Sequence, residues 1–282
     1  MRTALFKAEL LKTALFVLLI FWRLTVCGQS VPLPNAFAHN DYFHKHPLYD
    51  ALDNGYTNIE ADIFLKDDEL IVAHINPYFK DSHTLEILYL KPLFDRIILN
   101  GGQVYKGYNS PVTLLIDIKT EANRTYMALK PLLEKYRSIL TSYSNGKVAL
   151  KQVTIVLSGN KPYDIIKSET NRLAFIDESL QDAASDTLSK DVFTMASCKY
   201  SRIIKWNGTG IMPGAEKQLL QLYVAMAHKY GKKVRLWASP ENITVWRELL
   251  NCGVDLINTD KLVILKNFLL ENTTLYTAAN RN

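Results

Sequence analysis

The sequence predicts a single (β/α)8 barrel behind a short N-terminal leader. Three observations carry that prediction. Short β-branched runs alternate with helical patterns along the chain, as parallel strands with crossover helices require. About eight such units follow one another at even spacing, which implies a closed ring of strands rather than an open sheet. No Gly-x-Gly-x-x-Gly loop follows the first strand, so the nucleotide-binding open sheet is disfavoured. The 282 residues suit this reading, since a barrel of this kind takes about 250 residues.

In chain order, Ala36–His39 is a short apolar run ending in polar residues. Pro47–Asn54 has helical spacing and stops at Gly55, a natural C-cap. Asn58–Leu65 reads as a strand, and Glu69–His74 as its continuation after a Lys66-Asp67-Asp68 turn. Thr84–Leu99 is helical up to Gly101-Gly102, Val112–Lys119 is a Leu/Ile-rich strand, and Thr125–Leu140 is an amphipathic helix. Val153–Leu157 is a strand followed by a short helix from Tyr163. Leu173–Ile176 and Val192–Met195 are the next two strands, with the segment between Ile176 and Ser197 completing the count. Glu216–Tyr230 is a helix capped by Gly231, and Lys233–Trp237 a strand. Asn242–Leu250 is a helix, Val254–Ile257 a strand and Leu262–Leu270 the last helix. No low-complexity linker or second domain interrupts residues 29–282.

The leader, residues 1–28, has the pattern of an export signal. Arg2, Lys7 and Lys12 form a basic start, and Thr13 to Trp22 is apolar. Val26-Cys27-Gly28 suits signal peptidase, with cleavage near Gly28. A spanning helix needs about 20 apolar residues, and Arg23 interrupts this stretch too early. The expected destination is therefore the secretory or periplasmic space. A retained N-terminal anchor and a lipidated Cys27 are the alternatives. Arg2, Lys7, Lys12 and Arg23 against Glu9 give the leader a net +3, which leaves +2 of the total +5 for the rest. Without a dense basic run interleaved with aromatics, nucleic acid is a poor partner for that remainder. Cleavage leaves Cys198 and Cys252, either paired in an oxidising compartment or buried as small apolar residues.

Catalytic residues of such a barrel sit at the C-terminal ends of its strands. The first run ends in His39-Asn40-Asp41. The second strand carries Glu60 and Asp62, two residues apart and hence on one face, within otherwise apolar sequence. Two carboxylates so close repel unless a cation or a proton is shared. Asp117 adds a third from the next barrel strand, and the three form a half-shell of oxygen ligands for Mg2+ or Ca2+. Lys119 follows on the face of Asp117 and would favour an anionic substrate. His74, after Val72-Ala73, joins His39 as a second imidazole. Two such groups can act as base and acid in cleaving a phosphodiester. Singly these are ordinary features: a solvated Glu-x-Asp, a capping histidine, a surface lysine. Their joint occurrence at the ends of the first strands is what points to a site. His44, His46 and His83 lie in loops, where spacing assigns them no partner, and read as surface residues that could line the substrate mouth.

These residues resemble the glycerophosphodiester phosphodiesterase and sphingomyelinase D superfamily, which shares its barrel with phosphatidylinositol-specific phospholipase C. The resemblance rests on Ala38-His39-Asn40-Asp41, Ile59-Glu60-Ala61-Asp62-Ile63, Val72-Ala73-His74 and Leu115-Ile116-Asp117-Ile118-Lys119, and is strongest for the branch that includes altered inheritance of mitochondria protein 6. Val254-Asp255-Leu256-Ile257-Asn258-Thr259-Asp260 is similar to the closing strand of the family, and Trp237 to an aromatic placed over the substrate. The resemblance implies His39 and His74 as the acid/base pair, and Glu60, Asp62 and Asp117 as ligands of Mg2+ or Ca2+. It implies Lys119 and Trp237 as substrate contacts. His39-Asn40-Asp41 stands where glycerophosphodiesterases carry His-Arg-Gly, and His46-Pro47-Leu48 where a Pro-Glu-Asn-Thr-like motif is usual. Asp117 replaces a Glu, as in the sphingomyelinase D branch.

The function expected on these grounds is a metal-dependent phosphoric diester hydrolase or cyclising phosphodiesterase. Its substrate would be a glycerophosphodiester, a lysophospholipid or a related small phosphodiester, with contact to a membrane surface where the head group belongs to a lipid. The alternatives are a non-catalytic ligand-binding barrel and a metal-independent lyase like phosphatidylinositol phospholipase C.

Overall fold

In the computed structural model, residues 30–75, 83–183 and 191–279 are described, the side chains to 272. The leader, its cleavage position and Cys27 lie outside them. Eight strands make the ring: β1 (Leu33–Ala38), β2 (Tyr56–Lys66), β4 (Val112–Ile118), β7 (Val153–Gly159), β9 (Ala174–Ser179), β10 (Phe193–Lys199), β11 (Lys233–Trp237) and β12 (Leu256–Thr259). Each pairs in parallel with the next, and β1 pairs with both β2 and β12, so the sheet closes. The predicted (β/α)8 barrel is thus the observed fold.

Helices link the strands: α1 (Tyr49–Asp53), α2 (Lys91–Leu99), α3 (Ala122–Lys135), α4 (Tyr163–Ser168), α5 (Gly214–Lys229), α6 (Ile243–Asn251) and α7 (Leu262–Ala279). Local chemistry fixes their ends. The Glu121 carboxylate accepts the N–H groups of Asn123 and Arg124 and starts α3, three residues before the sequence pattern places it. The Asn242 side chain accepts the N–H of Val245 and starts α6, so this residue is the cap and not the first turn. A π-helical turn over Glu86–Leu90 precedes α2 within the helix expected from Thr84. The described residues between β9 and β10 hold no helix. Nor, among the described residues, is any helix long and apolar enough to cross a membrane.

Residues Glu69–Val72 form β3, which returns antiparallel along β2, with Ile63 opposite Val72 and Leu65 opposite Leu70. It is a hairpin arm rather than a straight continuation. Asp67 and Asp68 both take positive φ (49° and 64°), as a tight turn matched to strand twist requires. The hairpin brings His74 back beside β2. A further small sheet, unforeseen from sequence, pairs β5 (Ser142–Ser144) with β6 (Lys147–Ala149) across an Asn145-Gly146 turn and with β8 (Asn171–Arg172).

Two apolar layers result. One large cluster fills the space between strands and helices, with Trp246, Tyr89 and Tyr105 fully buried. A second, separate cluster of Phe37, Leu115, Val156, Met195 and Leu256 plugs the inside of the ring. Because side chains alternate along a strand, the residues two positions on face the same interior. They are His39, Asp117, Ser158, Ser197 and Asn258, every one polar. The apolar plug is therefore the floor of the site, and the next layer toward the strand ends is the site itself.

Candidate active site

A cavity of about 480 Å³ opens at the C-terminal end of the ring, and all seven residues singled out from sequence line it: His39, Glu60, Asp62, His74, Asp117, Lys119 and Trp237. Strand register does most of the placing. Asp62 lies directly opposite Asp117 in the β2–β4 pairing, and Glu60 opposite Leu115, one layer deeper. One oxygen from each of Glu60, Asp62 and Asp117 lies within 4.8 Å of the others.

Asp62 is buried, yet its Oδ2 is crowded with donors. The Tyr42 hydroxyl donates to it at 2.7 Å, the Lys119 ammonium at 2.9 Å, and His74 Nδ1 lies at 3.2 Å. Lys119 also reaches Asp117 Oδ1 at 2.9 Å, while the Ser158 hydroxyl donates to Asp117 Oδ2 at 3.0 Å. Burial works against the Lys119 ammonium, but the Asp117 and Asp62 carboxylates outweigh it and raise its pKa. Gly159, at φ +67°, makes room on the β7 side: a Cβ there would sit 2.4 Å from Asp117 Oδ1.

Glu60 is buried as well, one layer deeper in the ring. Its Oε1 faces Arg235 at 3.6 Å and its Oε2 faces His39 Nε2 at 3.7 Å. Oε2 is buried and has no hydrogen-bond partner. Burial raises the Glu60 pKa against the pull of Arg235 and His39. A buried carboxylate oxygen left without a donor, beside two further carboxylates, fits a hard divalent cation with oxygen ligands. The donor set suits Mg2+ or Ca2+ in kind and in charge.

Each histidine is held through its Nδ1. For His39 the carboxylate partner is Asp260 Oδ1 at 2.7 Å, with Asn40 Nδ2 also 2.9 Å from the ring nitrogen, and the His39 backbone N–H donates to Thr259 O at 3.0 Å across the β1–β12 seam. Burial lowers the His39 pKa, but the hydrogen bond to Asp260 and the charge of Glu60 prevail and raise it. For His74 the partners are Asp62 Oδ2 and, at 3.2 Å, the Tyr42 hydroxyl. With the proton on Nδ1 donated to these oxygens, Nε2 of each ring is the free basic nitrogen. Asp260 is fixed in turn by Glu241, whose carboxylate accepts its N–H and the Thr259 hydroxyl at 2.5 and 2.6 Å.

The structure adds residues that local sequence does not disclose. Arg235, buried on β11, lies 3.6 Å from both Glu60 and Asp177, and its Nη1 donates to Asn258 Oδ1 at 3.2 Å. Its guanidinium also stacks 4.3 Å from the Phe37 ring, so it joins the apolar floor to the polar layer. Asp177 accepts the Ser197 hydroxyl, and burial raises its pKa against the pull of Arg235. Both Asp177 and Ser197 fall beyond the strand ends that the sequence pattern marks, because β9 and β10 run to Ser179 and Lys199. Asp41 faces away from the cavity. Its carboxylate accepts the Leu48 N–H and the Tyr89 hydroxyl and holds the loop after β1. Cys198 and Cys252 are both buried free thiols, and burial pushes the Cys198 pKa up to about 11.

Comparison with known proteins agrees with this geometry. The AIM6-like phosphodiesterase domain matches residues 26–177, and the glycerophosphoryl diester phosphodiesterase family matches residues 233–262. The two segments contribute β1, β2, β4 and β7, and β11 and β12. Among curated proteins, the chain is 28% identical over 275 residues to altered inheritance of mitochondria protein 6 of Eremothecium gossypii, covering 85% of this chain and 71% of that one. It is 27% identical to the protein of the same name in Saccharomyces cerevisiae, over 84% of this chain and 71% of that one. The match to the first domain spans more than half of the chain, so the protein belongs to the AIM6-like phosphodiesterase domain family.

Proposed function

We propose that this chain is an exported, metal-dependent phosphoric diester hydrolase acting on a small phosphodiester or a phospholipid head group. The observation that carries the reading is the pairing of His39 with Asp260 and of His74 with Asp62 on either side of the Glu60–Asp62–Asp117 cluster. A non-catalytic binder has no need of two imidazoles each held through Nδ1 beside a cation site.

In the proposed reaction, one histidine takes the proton of the attacking hydroxyl through Nε2. That hydroxyl belongs to water or to the substrate itself, which gives hydrolysis or a cyclic phosphate respectively. The other histidine donates its Nε2 proton to the leaving oxygen, so one proton is taken up and one delivered in each turnover. Asp260 stabilises the imidazolium that forms on His39, as Asp62 does for His74. Lys119 offers a positive charge to the phosphate oxygens at the rim of the cluster. A divalent cation held by Glu60, Asp62 and Asp117 would supply charge stabilisation for the pentacoordinate phosphorus. The apolar floor keeps bulk water from the far side of the site.

Turnover of glycerophosphodiesters and lysophospholipids with Mg2+ or Ca2+, and then with EDTA, tests this directly. Metal-dependent release that is lost in His39→Ala, with an unchanged melting curve, is the expected result. Full turnover in His39→Ala, or in EDTA, would overturn the mechanism. Export rests on the leader alone, and N-terminal sequencing of the mature protein, with Gln29 expected first, tests it.

A further inference from the structure

The cations of the cavity divide into two groups. Lys119 and Arg235 are engaged by carboxylates: Lys119 by Asp62 and Asp117, Arg235 by Glu60 and Asp177. Three others, Lys161, Lys199 and Arg202, line the same cavity and make no ion pair among the described residues, although the Asp177 carboxylate lies near enough to Lys161 to feel its charge. Lys161 donates to the Asp177 carbonyl at 2.9 Å and Arg202 to the Gln181 amide oxygen at 3.4 Å, both neutral acceptors. The Lys199 ammonium lies 5.8 Å from the centre of the Trp237 ring.

Their position in the ring is specific. Lys199 ends β10, and Arg202 follows it in a single 3-10 turn. Counting round the barrel, β10 lies four strands from β2, on the wall opposite Glu60 and Asp62. Lys161 follows β7, between the two walls. A phosphodiester bound at the carboxylates would therefore direct its far substituent toward three cations that make no ion pair among the described residues.

Trp237 bears on the same question. An exposed aromatic face in a phosphodiesterase cavity could receive a quaternary ammonium head group. Here the protein's own Lys199 ammonium already lies over the ring, so a second cation would meet like charge.

We infer that the substrate carries a second phosphate group, held by Lys161, Lys199 and Arg202 across the cavity from the Glu60–Asp62–Asp117 cluster. The inference rests on the phosphodiesterase reading and narrows its substrate class: an anionic head group is favoured and a cationic one rejected. Arg202 offers a forked pair of donors and the two lysines compact charges, a combination suited to a terminal phosphate.

Binding separates this inference from catalysis. Three probes are used: glycerophosphoglycerol, the same diester bearing a terminal phosphate, and glycerophosphocholine. Calorimetry of His39→Ala with each probe, in the presence of Mg2+, should show the phosphorylated diester binding at least about tenfold more tightly than glycerophosphoglycerol, and glycerophosphocholine the weakest. In His39→Ala carrying Lys199→Met and Arg202→Met, the ratio between the first two should fall several-fold, while circular dichroism confirms the fold. The acylated lysophospholipid counterparts must give the same order, whether the head group arrives free or on a lipid. Equal or tighter binding of glycerophosphocholine, no binding of any probe, or a ratio unmoved by the double substitution would overturn the inference. Wild-type turnover of any probe is read separately: metal-dependent release with choline preferred would leave the phosphodiesterase reading standing and remove this one.

Discussion

The hydroxyl of Tyr42 donates a hydrogen bond of 2.7 Å to Asp62 Oδ2, the same oxygen that His74 Nδ1 approaches. One phenol therefore orients a candidate metal ligand and a candidate acid/base residue together. Removing the hydroxyl in Tyr42→Phe leaves Asp62 without one of its donors and His74 with a single partner. A hydrogen bond to a charged group contributes about 1.5–3 kcal/mol, so kcat/KM is expected to fall by roughly one to two orders of magnitude. Steady-state kinetics beside a melting curve checks this, and an active Tyr42→Phe would show that the phenol positions nothing.

Gly159 gives a second prediction. Alanine there meets positive φ and places its Cβ against Asp117 Oδ1. The backbone term costs about 1–2 kcal/mol, and the steric term must displace either Asp117 or β7. Gly159→Ala should lower the melting temperature by a few degrees and weaken Mg2+ or Ca2+ binding in calorimetry. An unchanged affinity would mean that Asp117 is not held by this contact.

For Glu60, charge and fold are expected to separate. Its ionised form is penalised by burial more than Arg235 and His39 repay, so neutral Glu60→Gln should melt above the wild type in EDTA, by a few degrees. Adding Mg2+ or Ca2+ should raise the wild-type melting temperature by mass action and leave Glu60→Gln nearly unmoved. If both proteins shift alike, Glu60 is not a ligand.

Asp41 predicts how stability changes with pH. Burial pushes its pKa up to about 6, against the Leu48 N–H and the Tyr89 hydroxyl, which favour the carboxylate. The folded chain then keeps a proton that the unfolded chain loses near pH 4. The contribution to stability is complete below about pH 4 and lost as pH rises through about 6, a change on the order of 3 kcal/mol. Urea midpoints between pH 4 and 7 should show this slope in the wild type and lack it in Asp41→Asn, whose amide oxygen can accept the same donors. Parallel profiles would assign the slope to another group.

The parts of the site that local pattern discloses are those built on strand alternation. Glu60, Asp62, Asp117 and Lys119 stand at i, i+2 positions inside apolar runs, and a two-residue period assigns them to one face without knowledge of the fold. His39 and His74 follow such runs directly. Arg235 sits in a run as short and as apolar, but its partners Glu60 and Asp177 are distant in sequence and come from other strands. Asp260 is 221 residues from His39, and only the β1–β12 pairing joins them. Asp177 and Ser197 were obscured for another reason. Apolar content fades before β9 and β10 end, since the last residues of a barrel strand serve the site rather than the core. The β5–β6 hairpin did leave a signal. Asn145-Gly146 is a favoured two-residue turn, with φ of 46° and 84°, but the flanking Ser-Tyr-Ser and Lys-Val-Ala are too short and polar to show a period.

The seam between the first and last strands has a consequence for how the protein is made. The three carboxylates come from β2 and β4, in the first half of the chain, whereas Asp260 follows β12 near its end. A nascent chain halted between Asp117 and Asp260 already carries every candidate ligand of the cation but not the partner that aims His39. On the proposed mechanism, competence for turnover thus waits for the segment that carries Asp260. A chain cut short there would carry all three carboxylates in its sequence and yet lack both the Asp260 partner of His39 and the β1–β12 pairing that closes the ring.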